Sequence, residues 1–412
     1  MIMGILAALG LKAGKKHELP EAWAAWRNGD VALARELGRD ALAAGRGPGE
    51  ANHLLFLAAF VRGEYRTALE HFRAIGPSCH GLDNLNETAI DAYVHLGAIG
   101  EALDFTRGRK GIPALTVQRL QQHIDRPFRV DLPGVATLPF AEHELTDYFP
   151  AFSAEINEHR ITAHLDTGGE FVHMGPERAE ALGIQTVRGG KERAHLEHGR
   201  VEVSYGIVAR FTLGQAVLDN VPVSVLATLR GESDFVIFGT NVLEQFLSTM
   251  DYPSRRLILS KRTDAAAQKE HLAMLPRQFV SVPFYLWGGH LMFARGGLGG
   301  LGDLNLFVDS GLVSVHPDGK GGLRQASFTS SRRKFKEWGI SEALIKKDFF
   351  ESPGPLYLGP LSEERPILVP GAAGDTNFGG VRIDGLISHG FLKRYIWTID
   401  FDKREYRFAD SG

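Results

Sequence analysis

The chain has 412 residues, 44% of them hydrophobic and 23% charged, and a formal net charge of −3. That length allows two or three domains with sizeable cores, and the near-neutral charge gives no electrostatic case for nucleic acid. No run of about 18 apolar residues suggests a transmembrane span, and a single cysteine, Cys79, excludes an intrachain disulfide and a cysteine-built metal cage.

Ile2 to Leu11 are largely apolar but precede Lys12, Lys15 and Lys16, the reverse of the charge order in a secretory signal. This favours a cytoplasmic location over a periplasmic or secreted one. From residue 16 to 110 the composition, rich in Ala, Leu, Glu and Arg, predicts helices. Gly29, Gly63 and Gly97 recur every 34 residues, and Ala34, Ala68 and Ala102 follow each of them by five. Val31, Tyr65 and Ile99 share the register, and Trp26, Phe60 and Tyr93 fall on it within one residue. The period resembles a degenerate tetratricopeptide array of about three units. That resemblance implies a concave face for a protein partner, or a brace for a neighbouring domain.

Residues 111–127, opening with Gly111-Ile112-Pro113, are expected to form a linker with a connecting helix. Strand signals then take over: alternating apolar residues, aromatics, and Gly and Pro punctuation. They fill 128–262 and 278–412, separated by a second linker at 263–277 in which Thr263 to Lys269 reads as a short helix. The two β segments share a pattern. Leu243, Phe246, Thr249 and Asp251 recur as Leu392, Tyr395, Thr398 and Asp400 at an offset of 149, and Leu257 and Leu259 recur as Tyr406 and Phe408. The expected fold class is multidomain α + β: an N-terminal helical repeat followed by two similar all-β lobes born of duplication.

Each β segment carries one tripeptide at the end of an alternating strand. Ile161, Ala163 and Leu165 lead to Asp166-Thr167-Gly168, and Leu304, Leu306 and Val308 lead at the same offsets to Asp309-Ser310-Gly311. Period two predicts strands with one buried face. A glycine permits a tight turn at the strand end, and the hydroxyl of Thr167 or Ser310 can fix that turn by bonding to backbone. Two carboxyls within a few ångströms cannot both ionise, so one keeps a proton. A water between them can then attack a carbonyl, with one Asp as base and the other as acid.

The first segment continues with Phe235-Val236-Ile237-Phe238-Gly239-Thr240-Asn241 and Phe246 to Asp251, and the second with Asp384-Gly385-Leu386-Ile387-Ser388 and Phe391-Leu392. This order of motifs resembles the retropepsin-like aspartic proteases as a single-chain, two-lobed form. The resemblance implies catalytic Asp166 and Asp309, supporting turn residues Thr167, Gly168, Ser310 and Gly311, no metal or organic cofactor, and a peptide or protein substrate held extended. Leu312, where a small residue is usual, and Ser388, opposite Gly239, depart from the pattern. The alternatives are a cleft that binds extended peptides without cutting them, and a glycosidase, whose carboxylates stand at least about 5 Å apart.

A substrate-covering hairpin is expected at Gly189 to Gly206 in the first segment, with Val201, Val203 and Tyr205 on its return arm, and at Gly319 to Thr329 in the second. Arg332-Arg333-Lys334 reads as a solvated helix face. Gly297 to Gly302 matches a dinucleotide fingerprint in letters only, since it leads into a strand, and is expected as a hairpin loop. His195-Leu196-Glu197-His198 fits no zinc spacing and reads as a solvated loop. His164 and His173 are expected as strand residues rather than acid-base partners.

Overall fold

A computed structural model describes residues 17–76, 85–195, 199–231, 235–317, 322–371 and 376–410. Cys79, the apolar start of the chain, Gly319, Gly321 and the centre of the His195–His198 loop lie outside them. The chain divides into two compact units. One holds the residues up to Pro127 with Tyr285–Gly289 and Asn377–Arg382, and the other holds the remainder.

The first unit is built from α1 (Pro20–Arg27), α2 (Val31–Ala43), α3 (Pro48–Val61), α4 (Tyr65–Ala74), α5 (Asn86–His95), α6 (Ile99–Thr106) and α7 (Ala114–Asp125). The 34-residue glycines all close helices in the same way. Gly29, Gly63 and Gly97 have φ of 76°, 79° and 69°, a left-handed conformation open to glycine at little cost. Beyond them, Asp30, Glu64 and Ala98 N–H groups donate to the carbonyls of Ala25, Ala59 and Tyr93 at 3.0, 3.0 and 2.9 Å. These are Schellman closures, which satisfy the last carbonyls of a helix and turn the chain. Ala34, Ala68 and Ala102 are fully buried. Trp26 is buried as well, and its indole N–H donates to Gly379 O at 2.8 Å. No helix among the described residues is long and apolar enough to cross a membrane.

The second unit is β-rich. Its eight-stranded sheet runs, in spatial order, Arg129–Asp131, Ala216–Leu226, Val172–Met174, Val236–Gly239, His159–Asp166, Ala151–Ile156, Gly199–Leu213 and Thr186–His195. A fourteen-stranded sheet contains a palindromic stretch. Val135–Pro139, Arg256–Lys261 and Phe246–Asp251 lead to Tyr395–Asp400, Glu405–Asp410 and Val280–Trp287, with Phe246–Asp251 paired antiparallel to Tyr395–Asp400. Thr249 pairs with Thr398 at its centre.

The strand pairings around the two tripeptides run in parallel. His159–Asp166 pairs parallel with Val236–Gly239, which pairs antiparallel with Val172–Met174, which in turn pairs parallel with Ala216–Leu226. Likewise Leu301–Val308 pairs parallel with Gly385–Ile387, which pairs antiparallel with Phe328–Ser331, which pairs parallel with Ile367–Gly371.

Three expectations change. Leu304 to Val308 is buried on both faces, because Asn305 and Phe307 are covered too. Alternation misleads there, since the polar Asn305 is satisfied internally rather than by water. Lys334 is not on a solvated face: it is 4% exposed, and its ammonium donates to Asp384 at 2.6 Å. Arg333 on the same short helix does stay exposed, paired with Glu337. Third, the hairpin Val315–Pro317 with Leu323–Gln325 precedes the strand Phe328–Ser331, whereas the hairpin of the first segment follows Val172–Met174. The two are not counterparts.

The Gly297–Gly302 segment is a hairpin turn between Leu291–Leu298 and Leu301–Val308, with Gly299 at φ 59°. A helix forms at Ala265–Ala273, capped by Asp264, whose side chain accepts from Ala267 N–H.

Candidate active site

Leu165 and Val308 are fully buried, and these apolar strands deliver Asp166 and Asp309 to one place. Parallel pairing fixes the level of each: Asp166 sits beside Gly239, and Asp309 N–H donates to Ile387 O at 2.9 Å. Each turn is then closed by its own carboxylate, with Gly168 N–H donating to Asp166 Oδ1 at 2.7 Å and Gly311 N–H to Asp309 Oδ1 at 3.0 Å.

The hydroxyls stitch the two turns to each other. Thr167 N–H donates to Ser310 Oγ and Ser310 N–H donates to Thr167 Oγ1, both at 3.0 Å. Thr167 Oγ1 donates in turn to Val308 O at 3.0 Å, and Ser310 Oγ to Leu165 O at 3.4 Å. All of these groups are buried, so the exchange of bonds satisfies backbone that water cannot reach. Thr240 adds a further tie, donating to Thr167 O at 2.8 Å.

The glycines have a reason different from the expected one. Neither Gly168 nor Gly311 adopts positive φ, but a Cβ on Gly168 would stand 2.7 Å from Asp309 Cγ, and one on Gly311 would overlap Asp166 Cγ. Each glycine makes room for the carboxyl of the opposite turn. That leaves Asp166 and Asp309 hydrogen-bonded to each other. Asp309 is 9% exposed. Burial, then the charge of Asp166 and the bond to it, hold the Asp309 carboxyl well above the ordinary carboxylate range, against the opposing N–H groups of Gly311 and Leu312. Asp166 is only partly buried. Such a pair shares one proton.

Ser388 does not disturb this arrangement. A Cβ on Gly239 would overlap Glu170 O, so that position admits no side chain. Opposite it, Ser388 is buried, donates to Ala326 O and accepts from Gly390 N–H at 3.2 Å. The requirement for a bare backbone moves two residues on, where a Cβ on Gly390 would overlap Ala326 O.

His164 and His173 lie on the strands either side of the first turn without entering it. Buried His164 bonds Phe149 O through Nδ1 at 3.0 Å and is pushed down to about 4, chiefly by burial. His173 accepts from Glu170 N–H at 2.8 Å. Asn305 escaped the sequence reading, and Asp384 entered it only as the first residue of a motif, with no role given to its side chain. Asp384 accepts from Asn305 N–H at 3.0 Å and from Lys334, while Asn305 Oδ1 accepts from Arg295 at 2.6 Å. The only sequence signal is the polar Asn305 inside an apolar strand.

The expected Gly189–Gly206 hairpin exists, Thr186–His195 pairing with Gly199–Leu213 around residues outside the described set. Val201 and Val203 pack with Leu226, Tyr205 and Leu229 at its base. Among the described residues, no cluster of three or more His, Cys, Asp or Glu is placed to hold a metal ion.

Residues 152–242 match the family model for aspartyl proteases. That segment includes Asp166 and Gly239, and the match supports the aspartic protease family for it. Similar solved structures include a retropepsin-like aspartic protease from Rickettsia conorii, with 19% identity and a TM-score of 0.24, covering 32% of this chain and 93% of that one. Another is the aspartic proteinase from Irpex lacteus, with 11% identity and a TM-score of 0.41, covering 67% of this chain and 97% of that one. A search of curated proteins finds no match.

Proposed function

We propose that this chain, which carries the aspartyl protease pattern over residues 152–242, is a single-chain, two-lobed aspartic endopeptidase. Its lobes descend from one duplicated unit, spanning 128–262 and 278–412. Residues 16–110 form a tetratricopeptide-like array that holds a protein partner or braces the catalytic part, and 111–127 and 263–277 are the connecting segments.

One observation carries the reading: the hydrogen bond between the carboxyls of Asp166 and Asp309, within turns that exchange bonds through Thr167 and Ser310. A glycosidase pair, separated by at least about 5 Å, would share no proton directly. Asp309, the more buried, holds the proton, and Asp166, the more exposed, carries the charge. Asp166 takes a proton from the attacking water as its oxygen bonds to the peptide carbonyl carbon. Asp309 gives its proton to the carbonyl oxygen. The C–N bond then breaks as the amine leaves with a proton returned through Asp166, while a hydroxyl of the intermediate becomes the new carbonyl and returns its proton to Asp309, restoring the pair. Thr167 and Ser310 keep the two carboxyls at this separation, and the Thr186–Leu213 hairpin covers an extended substrate.

The test is incubation with a diverse peptide library, read by mass spectrometry across pH, for the parent and for Asp166→Asn. Cleavage by the parent that disappears in the variant supports the proposal. Peptide binding with no cleavage by the parent at any pH refutes catalysis and leaves a peptide-binding module.

A further inference from the structure

Two short segments from far along the chain, Tyr285–Gly289 and Asn377–Arg382, belong to the helical unit. Each lays a glycine tip against a different helix. Gly379 O accepts from the Trp26 indole N–H on α1 at 2.8 Å, and Gly288 O accepts from His95 Nε2 on α5 at 2.9 Å. On α3, the Phe60 ring meets Trp287 edge to face, with centroids 5.6 Å apart. These are the helices that precede Gly29, Gly63 and Gly97, and Trp26 and Phe60 hold the same place in the 34-residue register. We infer that this face of the helical repeat is an intramolecular clamp, with Trp26, Phe60 and His95 as positioning residues for the strand that carries Asp309. The inference rests on the endopeptidase reading above and chooses the bracing role for residues 16–110.

The fit is specific to these tips. Asn377–Phe378 pairs with Val381–Arg382 around Gly379 and Gly380, whose φ of 56° and 94° give the twist of a two-residue hairpin. A Cβ on Gly379 would overlap the Trp287 ring, and one on Gly380 would stand 3.2 Å from Trp26 Nε1. The two segments therefore touch each other as well as the helices. Trp26, Phe60, Phe378 and Val381 are all buried, so no water replaces Gly379 O as the acceptor for the indole. His95 is itself fixed, stacked on Tyr65 with ring centroids 4.4 Å apart.

What the clamp holds follows from the covalent chain. In the fourteen-stranded sheet, Leu301–Val308, which leads to Asp309, lies between Leu291–Leu298 and Gly385–Ile387. Leu291 follows Gly289 by two residues, and Gly385 follows Arg382 by three. Both neighbours of the Asp309 strand thus begin where a held segment ends. The strand that ends at Asp166 lies between Ala151–Ile156 and Val236–Gly239, and neither of these follows a segment of the helical unit. Fixing the starts of both flanking strands removes freedom that would let Asp309 drift from Asp166, and proton sharing depends on that separation.

The full chain is compared with the double variant Trp26→Phe, His95→Phe, which deletes both donors and keeps an aromatic ring at each place. Hydrogen exchange read by mass spectrometry is expected to run at least about tenfold faster in the variant for the amides of Asp309 and Asp384. These donate to Ile387 O and Asn305 O at 2.9 and 2.8 Å. The amides of Leu165 and Gly239, in the Asp166 half, are expected to keep the parent's rates. Peptide cleavage is expected to fall about tenfold in kcat with KM within about twofold of the parent, and His95→Gln, which retains a donor, to keep most of the activity. Gly379→Ala, which pushes the tip off Trp287 without altering a helix, is expected to repeat the pattern and is read instead if the double variant does not fold. Equal exchange in parent and variants overturns the inference, as does a rise of the same size in both halves or a loss confined to KM. Should the parent cleave nothing, the endopeptidase reading falls, and the exchange rates alone uphold or overturn the clamp.

Discussion

Thr249 and Thr398 face each other across paired strands with their hydroxyl oxygens 2.7 Å apart, and they are the same residue type at the 149-residue offset. Thr249 also bonds His271 Nε2 at 2.8 Å, and His271 Nδ1 bonds Ser260 at 2.9 Å. A buried polar chain therefore runs from the pairing strands into the helix Ala265–Ala273.

This chain sets a pH dependence. Burial pushes His271 and His164 down to about 4 and His389 to about 3. Each is neutral when folded, while its unfolded value stays near 6.5, so between about pH 6.5 and 4 the unfolded chain binds the extra protons. Stability is complete above that window and falls as pH drops through it. Full titration of His271 alone costs about 3 kcal/mol. Asp309 works in the opposite sense: with its folded pKa raised, its contribution is present at low pH and is lost as pH rises through the folded value. Urea unfolding from pH 7.5 to 4.5 should show stability decreasing toward acid, with a shallower slope in His271→Gln. An equal slope in parent and variant would count against it.

Replacing Asp166 or Asp309 with Asn should lower kcat/KM by on the order of 10³-fold or more while the fold persists. Asp309→Asn removes a buried acid without changing its size, so its melting temperature should stay near that of the parent. Peptide cleavage and circular dichroism measured together check this, and substantial residual activity in either variant would sink the paired-carboxyl mechanism.

Thr167→Val keeps the side-chain shape and removes the hydroxyl on which Ser310 N–H and Val308 O depend. Two buried backbone groups lose their partners, for an expected loss of about 2 to 4 kcal/mol in chemical unfolding. Ser310→Ala should behave similarly through Thr167 N–H.

Lys334→Met leaves the Asp384 carboxylate buried without its cation, and should destabilise by about 3 to 5 kcal/mol. Adding Asp384→Leu should restore part of that, although Asn305 N–H then loses its acceptor. A double-mutant cycle by urea unfolding measures the coupling, and simple additivity would contradict the buried pair.

Gly97→Ala tests the helical register with little confusion from packing, because a Cβ there meets nothing within 4 Å. Only its φ of 69° opposes a side chain, so the cost should be about 1 kcal/mol, and smaller for Gly97→Asn. Thermal unfolding of the full chain reads it.

What could be read from the residues was what repeats or alternates. The 34-residue glycines each follow a helix, though as left-handed closures rather than as points of close helix approach, and the approach strands bring Asp166 and Asp309 together from a pattern of Ile161, Ala163 and Leu165 and its echo. Hidden were the features that depend on what packs against them. Nothing local says that Lys334 meets Asp384 across 50 residues of chain, or that the second strand is covered on both faces. At Gly168 and Gly311 the tight-turn argument missed the constraint, because the atom that excludes a side chain belongs to the opposite turn.

Gly239 and Ser388 hold one further consequence. An active centre made by two copies of one chain must carry identical residues on both sides, and its carboxyls meet only when the copies do. Around Asp166 and Asp309 the two sides differ, one barring a side chain and the other using it as a clasp, and both are encoded once in a continuous polypeptide. Dilution cannot part Asp166 from Asp309, and a substitution on one side need not be mirrored on the other.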